Sequence, residues 1–246
     1  MKNAARKDVR REWFKNGNIK SQTVYVNGVK HGEERLFYQN SQPKSINIYR
    51  QGKLHGHAKK FHYNGKTKSF LNYRNHKLHG IKETYDSSGN KVSFLTFKNN
   101  RKCGACVYYY PNLIPKVNLT YFNDKIEGVS EVYHPNGKIQ IRALYKKGNL
   151  HGLYEGYDSE GRLLKNLFYK NGLLEGRCFE NTYYNSFSSP PLEAKNATRS
   201  EVISFFVKNN RISIIFNYYN KEDEIIFTKE FNSQKYEELQ IQEGVS

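Results

Sequence analysis

Glycine recurs at a fixed spacing of 24 residues through most of the chain. It occupies seven positions without a slip: Gly32, Gly56, Gly80, Gly104, Gly128, Gly152 and Gly176. The stretch Gly52–Gly56 (GKLHG) returns almost unchanged as Gly148–Gly152 (GNLHG). A strict period of this length is typical of repeat proteins, in which each unit contacts mainly its neighbours. The spacing therefore predicts a repeat architecture.

Two aromatic columns share this period. The first is Trp13, Phe37, Phe61, Tyr85, Tyr109, Tyr133 and Tyr157, and the second is Tyr25, Tyr49, Tyr73, Phe97, Tyr121, Tyr145 and Tyr169. A second, turn glycine recurs at Gly17, Gly65, Gly89, Gly137 and Gly161, with Ser41 and Leu113 in its place in two repeats. Short aromatic-rich segments bounded by Gly/Asn turns predict two antiparallel strands per repeat, and no helical period competes.

We therefore predict an all-β protein. The expected fold is an elongated, solenoid-like antiparallel β-meander, a single sheet of about seven hairpin repeats with a β-rich C-terminal cap. The expected segments are a charged, frayed N-terminal tail (1–12), the repeat array (13–180), a linker or crossing segment (181–200) and a cap rich in β-hairpins (201–246). Pro111 and Pro115 predict a longer or bulged loop in the fifth repeat. One or two helical turns are expected over Ser233–Leu239.

The repeats resemble the MORN repeat, in the variant form found in many bacterial proteins, including YwqK-type antitoxins. The resemblance covers about residues 13–180 and rests on the period, the Asn-Gly turns, the aromatic columns and the Leu-His-Gly motif. It implies a curved antiparallel sheet that is used for binding. The chain departs from the pattern at Ser41, Leu113, Cys103, Glu127 and Glu175.

The formal net charge of +17 is unevenly distributed. Residues 190–246 carry seven Lys/Arg and nine Asp/Glu, so the excess of positive charge belongs to the repeats. A field of this sign attracts acidic or phosphate-bearing partners. A lysine-rich, merely solvated surface would have the same composition, and charge runs alone do not distinguish the two.

Two basic columns lie on either side of the turn between repeats. We predict that their members form one positive edge beside the second aromatic column, provided that the sheet is regular. The candidate binding residues are Arg50, Lys53, Arg74, Lys77, Lys98, Arg101, Lys125, Lys146 and Lys170. Such an edge suits an acidic protein surface, anionic membrane headgroups or, less well, nucleic acid. The alternative is that these charges only keep the turns soluble and unassociated.

Four histidines occupy the turn between repeats: His31, His55, His79 and His151. Consecutive copies would stand about 10 Å apart, two strand spacings, which is too far for them to share a metal ion. A structural role, in which the ring hydrogen-bonds a neighbouring carbonyl, is the favoured interpretation. Cys103 and Cys106 form a C-x-x-C pair, but Cys106 falls in a predicted strand and no second pair completes a zinc site.

No catalytic motif is found: G-x-S-x-G, the P-loop, G-x-G-x-x-G and H-E-x-x-H are all missing from the sequence. We therefore predict a non-enzymatic protein without catalytic residues, metal or cofactor. The N-terminus lacks the apolar core of a signal peptide and no run is long enough to span a membrane, which favours a cytoplasmic protein.

The leading functional hypothesis is a repeat scaffold for protein–protein interaction, in its most specific form an antitoxin or immunity-like protein, as the resemblance implies. The alternative is peripheral binding of anionic membrane lipid through the basic edge, which would depend on charge and weaken with salt. The oligomeric state is not predicted from the sequence.

Overall fold

The computed structural model of the chain describes residues 6–183, 190–207 and 209–232. Over these residues the secondary structure is antiparallel β-strand, apart from a short 3-10 helix at Leu192–Ala194. The chain divides into two units, residues 1–125 (unit 1) and 126–246 (unit 2). The predicted all-β antiparallel meander is confirmed. The helical turns expected over Ser233–Leu239 lie outside the described residues.

Unit 1 is a meander in which each strand pairs with the next. Its strands are β1 (Lys7–Trp13), β2 (Ile19–Val26), β3 (Val29–Phe37), β4 (Pro43–Arg50), β5 (Lys53–Phe61), β6 (Thr67–Arg74), β7 (Lys77–Tyr85), β8 (Lys91–Lys98), β9 (Arg101–Tyr109) and β10 (Pro115–Phe122). The two-residue β11 (Lys125–Ile126) contains the boundary between the units.

Unit 2 continues with the same kind of antiparallel pairing. Its strands are β12 (Gly128–Tyr133), β13 (Ile139–Lys146), β14 (Asn149–Tyr157), β15 (Leu163–Lys170), β16 (Leu173–Leu174), β17 (Gly176–Tyr183), β18 (Arg199–Val207), β19 (Asn210–Tyr219) and β20 (Ile225–Asn232). The last three strands lie within residues 199–232, which overlap the segment where β-hairpins were expected. Within the described residues, no helix has the length and hydropathy needed to cross a membrane.

Two kinds of turn alternate along the repeats. The first is a two-residue turn whose central residues both have positive φ, as in Asn27-Gly28 (50° and 77°) and Asn75-His76 (49° and 66°). These are the dihedral signs of a type I′ turn, whose twist matches that of the flanking strands. The second is a three-residue loop: Gly65 N donates to His62 O (3.0 Å) and His62 N donates to Lys66 O (2.8 Å). Its third residue also has positive φ (Gly65, 81°), as expected for a type I turn followed by a bulge.

The glycines of the 24-residue series lie inside strands and not in turns, which corrects the interpretation of Leu-His-Gly as a turn motif. Gly56 lies in β5 and Gly152 in β14, at bulges where the pairing register with the preceding strand shifts. Their φ values of 94° and 114° lie in the region that favours glycine. Each pairs with an aromatic residue of the following strand, Gly56 with Tyr73 and Gly152 with Tyr169, so the glycine and aromatic columns form one contact.

Of the longer or bulged loop expected in the fifth repeat only the bulge is present, and the expectation of a frayed tail was wrong. The Pro111–Pro115 loop is no longer than its counterparts: Leu113 N donates to Tyr110 O (2.9 Å) and Tyr110 N donates to Ile114 O (2.9 Å), the pattern of every other such loop. A bulge does follow it, but bulges occur at this point in the regular repeats as well. The expected frayed tail contains strand β1, because residues 7–13 pair with β2 as the second half of a repeat would.

The two faces of the sheet differ in burial. In unit 1 the buried side chains form a row across neighbouring strands, linked by the pairs Ala58 with Leu71 and Leu95 with Cys106. We call this the inner face and the opposite one the outer face. In unit 2 the corresponding row includes Ser130 paired with Ala143, and Cys178. Small residues fill these rows because half-buried aromatic rings flank them on the same face.

Each two-residue turn is hydrogen-bonded to the strand that follows the preceding turn. In unit 1, Gly52 N donates to Lys30 O (2.8 Å) and His76 N to Leu54 O (2.9 Å); in unit 2, Gly172 N donates to Leu150 O (2.8 Å). The C-terminal strands keep this contact after the period has ended, because Asn209 N donates to Leu174 O (3.0 Å).

Candidate functional site

The basic edge of unit 1 is built by the closing pairs of its two-residue turns. In an antiparallel hairpin the residues on either side of such a turn face each other, so both side chains project on the same face. Three consecutive hairpins carry two cations each at this point: Arg50 with Lys53, Arg74 with Lys77, and Lys98 with Arg101. Hairpins two strands apart stand about 10 Å from one another. The edge therefore presents three cation pairs at regular intervals.

Hydrogen bonds to the preceding repeat hold the hairpin ends in place. Leu54 N donates to His76 Nδ1 (3.2 Å), while His76 N donates to Leu54 O. Asn100 makes the same two bonds to Leu78, whose N–H donates to Asn100 Oδ1 (2.6 Å). Because the backbone of each turn is fixed in this way, the flanking cations are carried on a supported edge and not on free loops.

The cations of these three hairpins are exposed and uncompensated. All six side chains are exposed, and among the residues that the structure describes none of them forms an ion pair. Apolar residues stand at the equivalent positions of the flanking hairpins: Val29 is 48% exposed and Phe122 is 63% exposed. The edge thus combines central positive charge with an apolar residue on each side.

The structure brings together six of the nine predicted cations and does not assign the other three to the same pattern. Lys125 is the last residue of unit 1 and follows the turn after Phe122. Lys146 and Lys170 belong to unit 2, where they pair with Asn149 and Leu173 instead of a second cation. The doubled charge is therefore a property of unit 1.

The repeat histidines have the predicted structural role, but they use two kinds of partner. His55 Nδ1 lies 3.2 Å from Asn75 Oδ1 and His79 Nδ1 lies 3.3 Å from Asn99 Oδ1, whereas the other two rings accept from a backbone N–H. Gln51 N donates to His31 Nδ1 (3.5 Å) and Asn171 N donates to His151 Nδ1 (3.3 Å). Where glutamate replaces histidine the bond persists, because Lys147 N donates to Glu127 Oε2 (2.8 Å). Residues at this position thus form a hydrogen bond with the next turn, as acceptors at His31, His151 and Glu127.

Neither the histidines nor the cysteines assemble into a chemical site. Cys103, Cys106 and Cys178 are free thiols, and burial raises the pKa of the Cys106 and Cys178 thiols, so that neither is activated as a thiolate. Within residues 6–183, 190–207 and 209–232, no group of three His, Cys, Asp or Glu side chains could hold a metal ion.

A buried polar cluster on the inner face of unit 1 was missed from the sequence. The Glu34 carboxylate accepts hydrogen bonds from Lys30 Nζ (2.5 Å), Asn47 Nδ2 (3.0 Å) and the Tyr49 hydroxyl (3.2 Å). Lys30 and Glu34 of this cluster line a depression of about 470 Å³ together with Arg10 and other residues. Its signal in the sequence is the carboxylate of Glu34, which occupies the same position of the 24-residue repeat as Ala58 and Cys106, both of which are buried.

The charges of this cluster satisfy one another. Burial acts to raise the pKa of Glu34, but the hydrogen bonds from Lys30, Asn47 and Tyr49 outweigh it, and the pKa lies below its ordinary value. The hydrogen bond with Glu34 likewise raises the pKa of Lys30. Burial, and then the charge of Glu34, raise the pKa of Tyr49. The cluster is an internally compensated packing element, in contrast to the uncompensated edge.

Four segments of the chain match one family of repeats. The MORN repeat variant matches residues 9–27, 30–51, 54–75 and 126–147. The second and third matches each begin after one two-residue turn and end within or at the next, so the matched segment is a strand, a three-residue loop and a strand. No curated protein matches the chain. The chain is thus similar to MORN repeats in four segments, three in unit 1 and one in unit 2.

Proposed function

We propose that the chain is a non-catalytic binding scaffold whose basic edge docks on an acidic surface of a partner protein. The observation that carries the proposal is the row of three exposed cation pairs on consecutive hairpins, without compensating carboxylates among the described residues. Positive charge that the protein does not neutralise internally raises the rate of encounter with acidic partners and selects against basic ones.

The supported geometry of the edge adds to this argument. Because the turns are hydrogen-bonded to the preceding repeat, the backbone positions of the cations keep their spacing when a partner approaches, and less loop entropy is lost on binding. In its most specific form the proposal makes the partner a toxin that the chain neutralises, following the resemblance to YwqK-type antitoxins.

A second candidate function is docking on anionic membrane lipid through the same edge. It is favoured by Val29 and Phe122, the exposed apolar residues on the hairpins that flank the three cation pairs. Cations attract anionic headgroups while neighbouring apolar side chains insert at the interface.

The test is charge reversal of two hairpins, Arg74→Glu, Lys77→Glu, Lys98→Glu and Arg101→Glu, in the full-length chain. A matched control reverses four exposed lysines away from the edge: Lys15, Lys68, Lys116 and Lys195. Both proteins, and the parent, are immobilised and used for capture from native lysate of the source cells at low and high salt, with flotation on anionic and neutral vesicles alongside.

Capture of the same protein by the parent and the control, with roughly tenfold or greater loss in the edge variant, supports the proposal. Salt-sensitive flotation on anionic vesicles that only the edge variant loses would instead support the lipid function. If the edge variant captures and floats as the parent does, the edge is a solubility feature and both functions are wrong. For the antitoxin form, co-expression with a toxic partner must restore growth.

A further inference from the structure

The outer face of unit 2 carries an apolar stripe that crosses four consecutive strands, β12 to β15. Val129 pairs directly with Leu144, and Leu153 pairs directly with Phe168. The two pairs adjoin, because a β-carbon on Gly152 would lie 2.8 Å from Leu144 Cδ2, next to Leu153. The four side chains are 53%, 39%, 50% and 41% exposed, in that order along the chain. Side chains that are both contiguous and this exposed are the kind of patch that marks an interaction site.

The repeat itself does not require this stripe. Of the equivalent pairs in unit 1, only Val9 with Val24 is wholly apolar, and the pair beside it is Glu33 with Ile48. The remaining pairs each contain a polar residue: His57 with Asn72, Ile81 with Thr96, and Ala105 with Thr120. The backbone of unit 1 is nevertheless bulged at the same positions. Apolar residues at both members of two adjoining pairs are thus a feature of unit 2 and not a condition of the fold.

The stripe has two chemically different borders. On one side Arg142 pairs with two carboxylates, with Nε 3.3 Å from Glu131 and Nη1 3.9 Å from Glu155, which leaves this group with a formal charge of −1. On the other side stand Lys146 and Lys170, two residues beyond Leu144 and Phe168 on the same strands and therefore on the same face. Both lysines are exposed, and neither forms an ion pair with the part of the chain that the structure describes. One border is therefore weakly acidic, with its single cation already paired, and the other is positive.

We infer that this stripe is a docking site for an amphipathic helix of a partner protein, with acidic residues along one flank. Four strands span about 14 Å, the length of roughly ten helical residues. A helix lying across the strands places apolar anchors at i, i+3 or i+4, and i+7, about 5 Å apart, close to the strand spacing. Lys146 and Lys170 are two strands apart, about 10 Å, which is the separation of acidic residues at i and i+7.

The size of the stripe favours a helix over a second copy of the chain. A stable dimer buries about 800 Å² on each partner, and four partly exposed side chains offer a few hundred at most. A short helix is covered by a surface of this size, and its acidic flank supplies the charges that the lysine border lacks. This site uses different residues and a different chemistry from the basic edge of unit 1, and neither proposal depends on the other.

The test is selection from a displayed library of 16-residue helix-forming peptides against the full-length chain. The library varies the apolar positions among aliphatic and aromatic residues and the flanking positions among Glu, Lys and Gln. The best peptides are then titrated by fluorescence anisotropy against the parent, Leu153→Asp, and the double variant Lys146→Glu, Lys170→Glu. The matched control is Ile81→Asp, at the position in unit 1 equivalent to Leu153 and also exposed. Circular dichroism melting verifies that each variant is folded.

We expect enrichment of peptides with an apolar stripe and glutamates on one flank. Their affinity should fall at least about tenfold in Leu153→Asp and several-fold in the lysine double variant, while Ile81→Asp and the edge variant of unit 1 bind as the parent does. The proposal is overturned if no such peptides are enriched, or if they bind Leu153→Asp equally well. It is also overturned if binding requires removal of residues 233–246, which would make the chain its own occupant, or if the parent self-associates through the stripe and Leu153→Asp is monomeric.

Discussion

Units 1 and 2 share a backbone pattern but treat the outer face beside the bulges differently. In unit 1, Asn72 Nδ2 donates to Ile81 O (3.2 Å) and Thr96 Oγ1 donates to Ala105 O (2.6 Å), so polar side chains satisfy carbonyls of the bulged strands. In unit 2 the equivalent residues are Leu144 and Phe168, which cannot donate. The repeat thus constrains turns, bulges and the inner face, while the outer face is free to acquire different surface chemistry in each unit.

The largest effect that would sharpen this comparison is expected at the bulge glycines. Gly152→Ala and Gly56→Ala both force a side chain into a positive φ, at a cost of roughly 1–2 kcal/mol each. At Gly152 the added β-carbon would also lie 2.8 Å from Leu144, whereas at Gly56 the nearest atoms belong to Ile48 at 3.9 Å. Because Cδ2 is the free end of an exposed side chain, rotation of Leu144 relieves most of this clash, and we expect Gly152→Ala to cost only about 0.5 kcal/mol more than Gly56→Ala. Urea midpoints of the two variants measure the difference, and equal midpoints would contradict the distinction between the units.

The next effect concerns the polar cluster around Glu34 on the inner face of unit 1. Glu34→Gln removes the charge that Lys30 faces and should destabilise the protein by on the order of 2 kcal/mol at pH 7. Because the pKa of Glu34 is lowered by folding, its contribution is present above the unfolded-state pKa and is lost as the pH falls through the folded-state pKa. The parent should therefore lose stability below about pH 4.5, and Glu34→Gln should lose less.

Urea midpoints of both proteins between pH 3 and pH 7 provide the measurement. The control is Glu131→Gln on the outer face of unit 2, whose carboxylate is more exposed than that of Glu34 and whose removal should have a smaller effect. Parallel pH profiles for the parent and Glu34→Gln would show that the cluster does not contribute to stability.

The smallest effect is a gain of stability in unit 1. Leu113 has a φ of 64° in a loop where Gly137 and Gly161 occupy the equivalent positions in unit 2. Leu113 is 57% exposed, so Leu113→Gly loses little burial and relieves a strained backbone. We expect a gain of about 1 kcal/mol, seen as a higher thermal midpoint, whereas Leu113→Ala keeps the strain and should not gain. A lower midpoint for Leu113→Gly would mean that the leucine is held by packing.

The period was enough to predict the strands and one class of turn, because Asn-Gly pairs and alternating aromatics are local signals. It did not show whether the Leu-His-Gly motif lies in a turn or in a strand, since a glycine with positive φ occurs in turns and in β-bulges alike. Pro111 and Pro115 suggested a longer or bulged loop. The bulge is present, as it is in the other repeats, but the missing N–H groups do not lengthen the loop. The charge pairs Arg50/Lys53 and Arg74/Lys77 were visible because both members flank one turn.

Neither the apolar stripe of unit 2 nor the Glu34 cluster of unit 1 was predicted, and the reason is the same for both. Leu144 and Leu153, or Glu34 and Tyr49, come together only through strand register, and each bulge shifts that register by extra residues. Comparing residues at the same position of successive repeats shows which residue types recur. These contacts instead join residues at different repeat positions on adjacent strands, which that comparison does not show. Sequence columns therefore favoured the recurrent edge over the features that are particular to one unit.

The bond from each two-residue turn back to the preceding repeat has an evolutionary consequence. Six consecutive turns each donate to a carbonyl 22 residues earlier, so the donor and acceptor belong to adjacent copies. The donors are the N–H groups of Gly52, His76, Asn100, Asp124, Gly148 and Gly172. An in-frame gene duplication of one period would therefore supply both halves of the new contact at once and leave no partner missing. Lineages can lengthen or shorten such an array by slippage, and selection then acts only on which side chains the added copy displays.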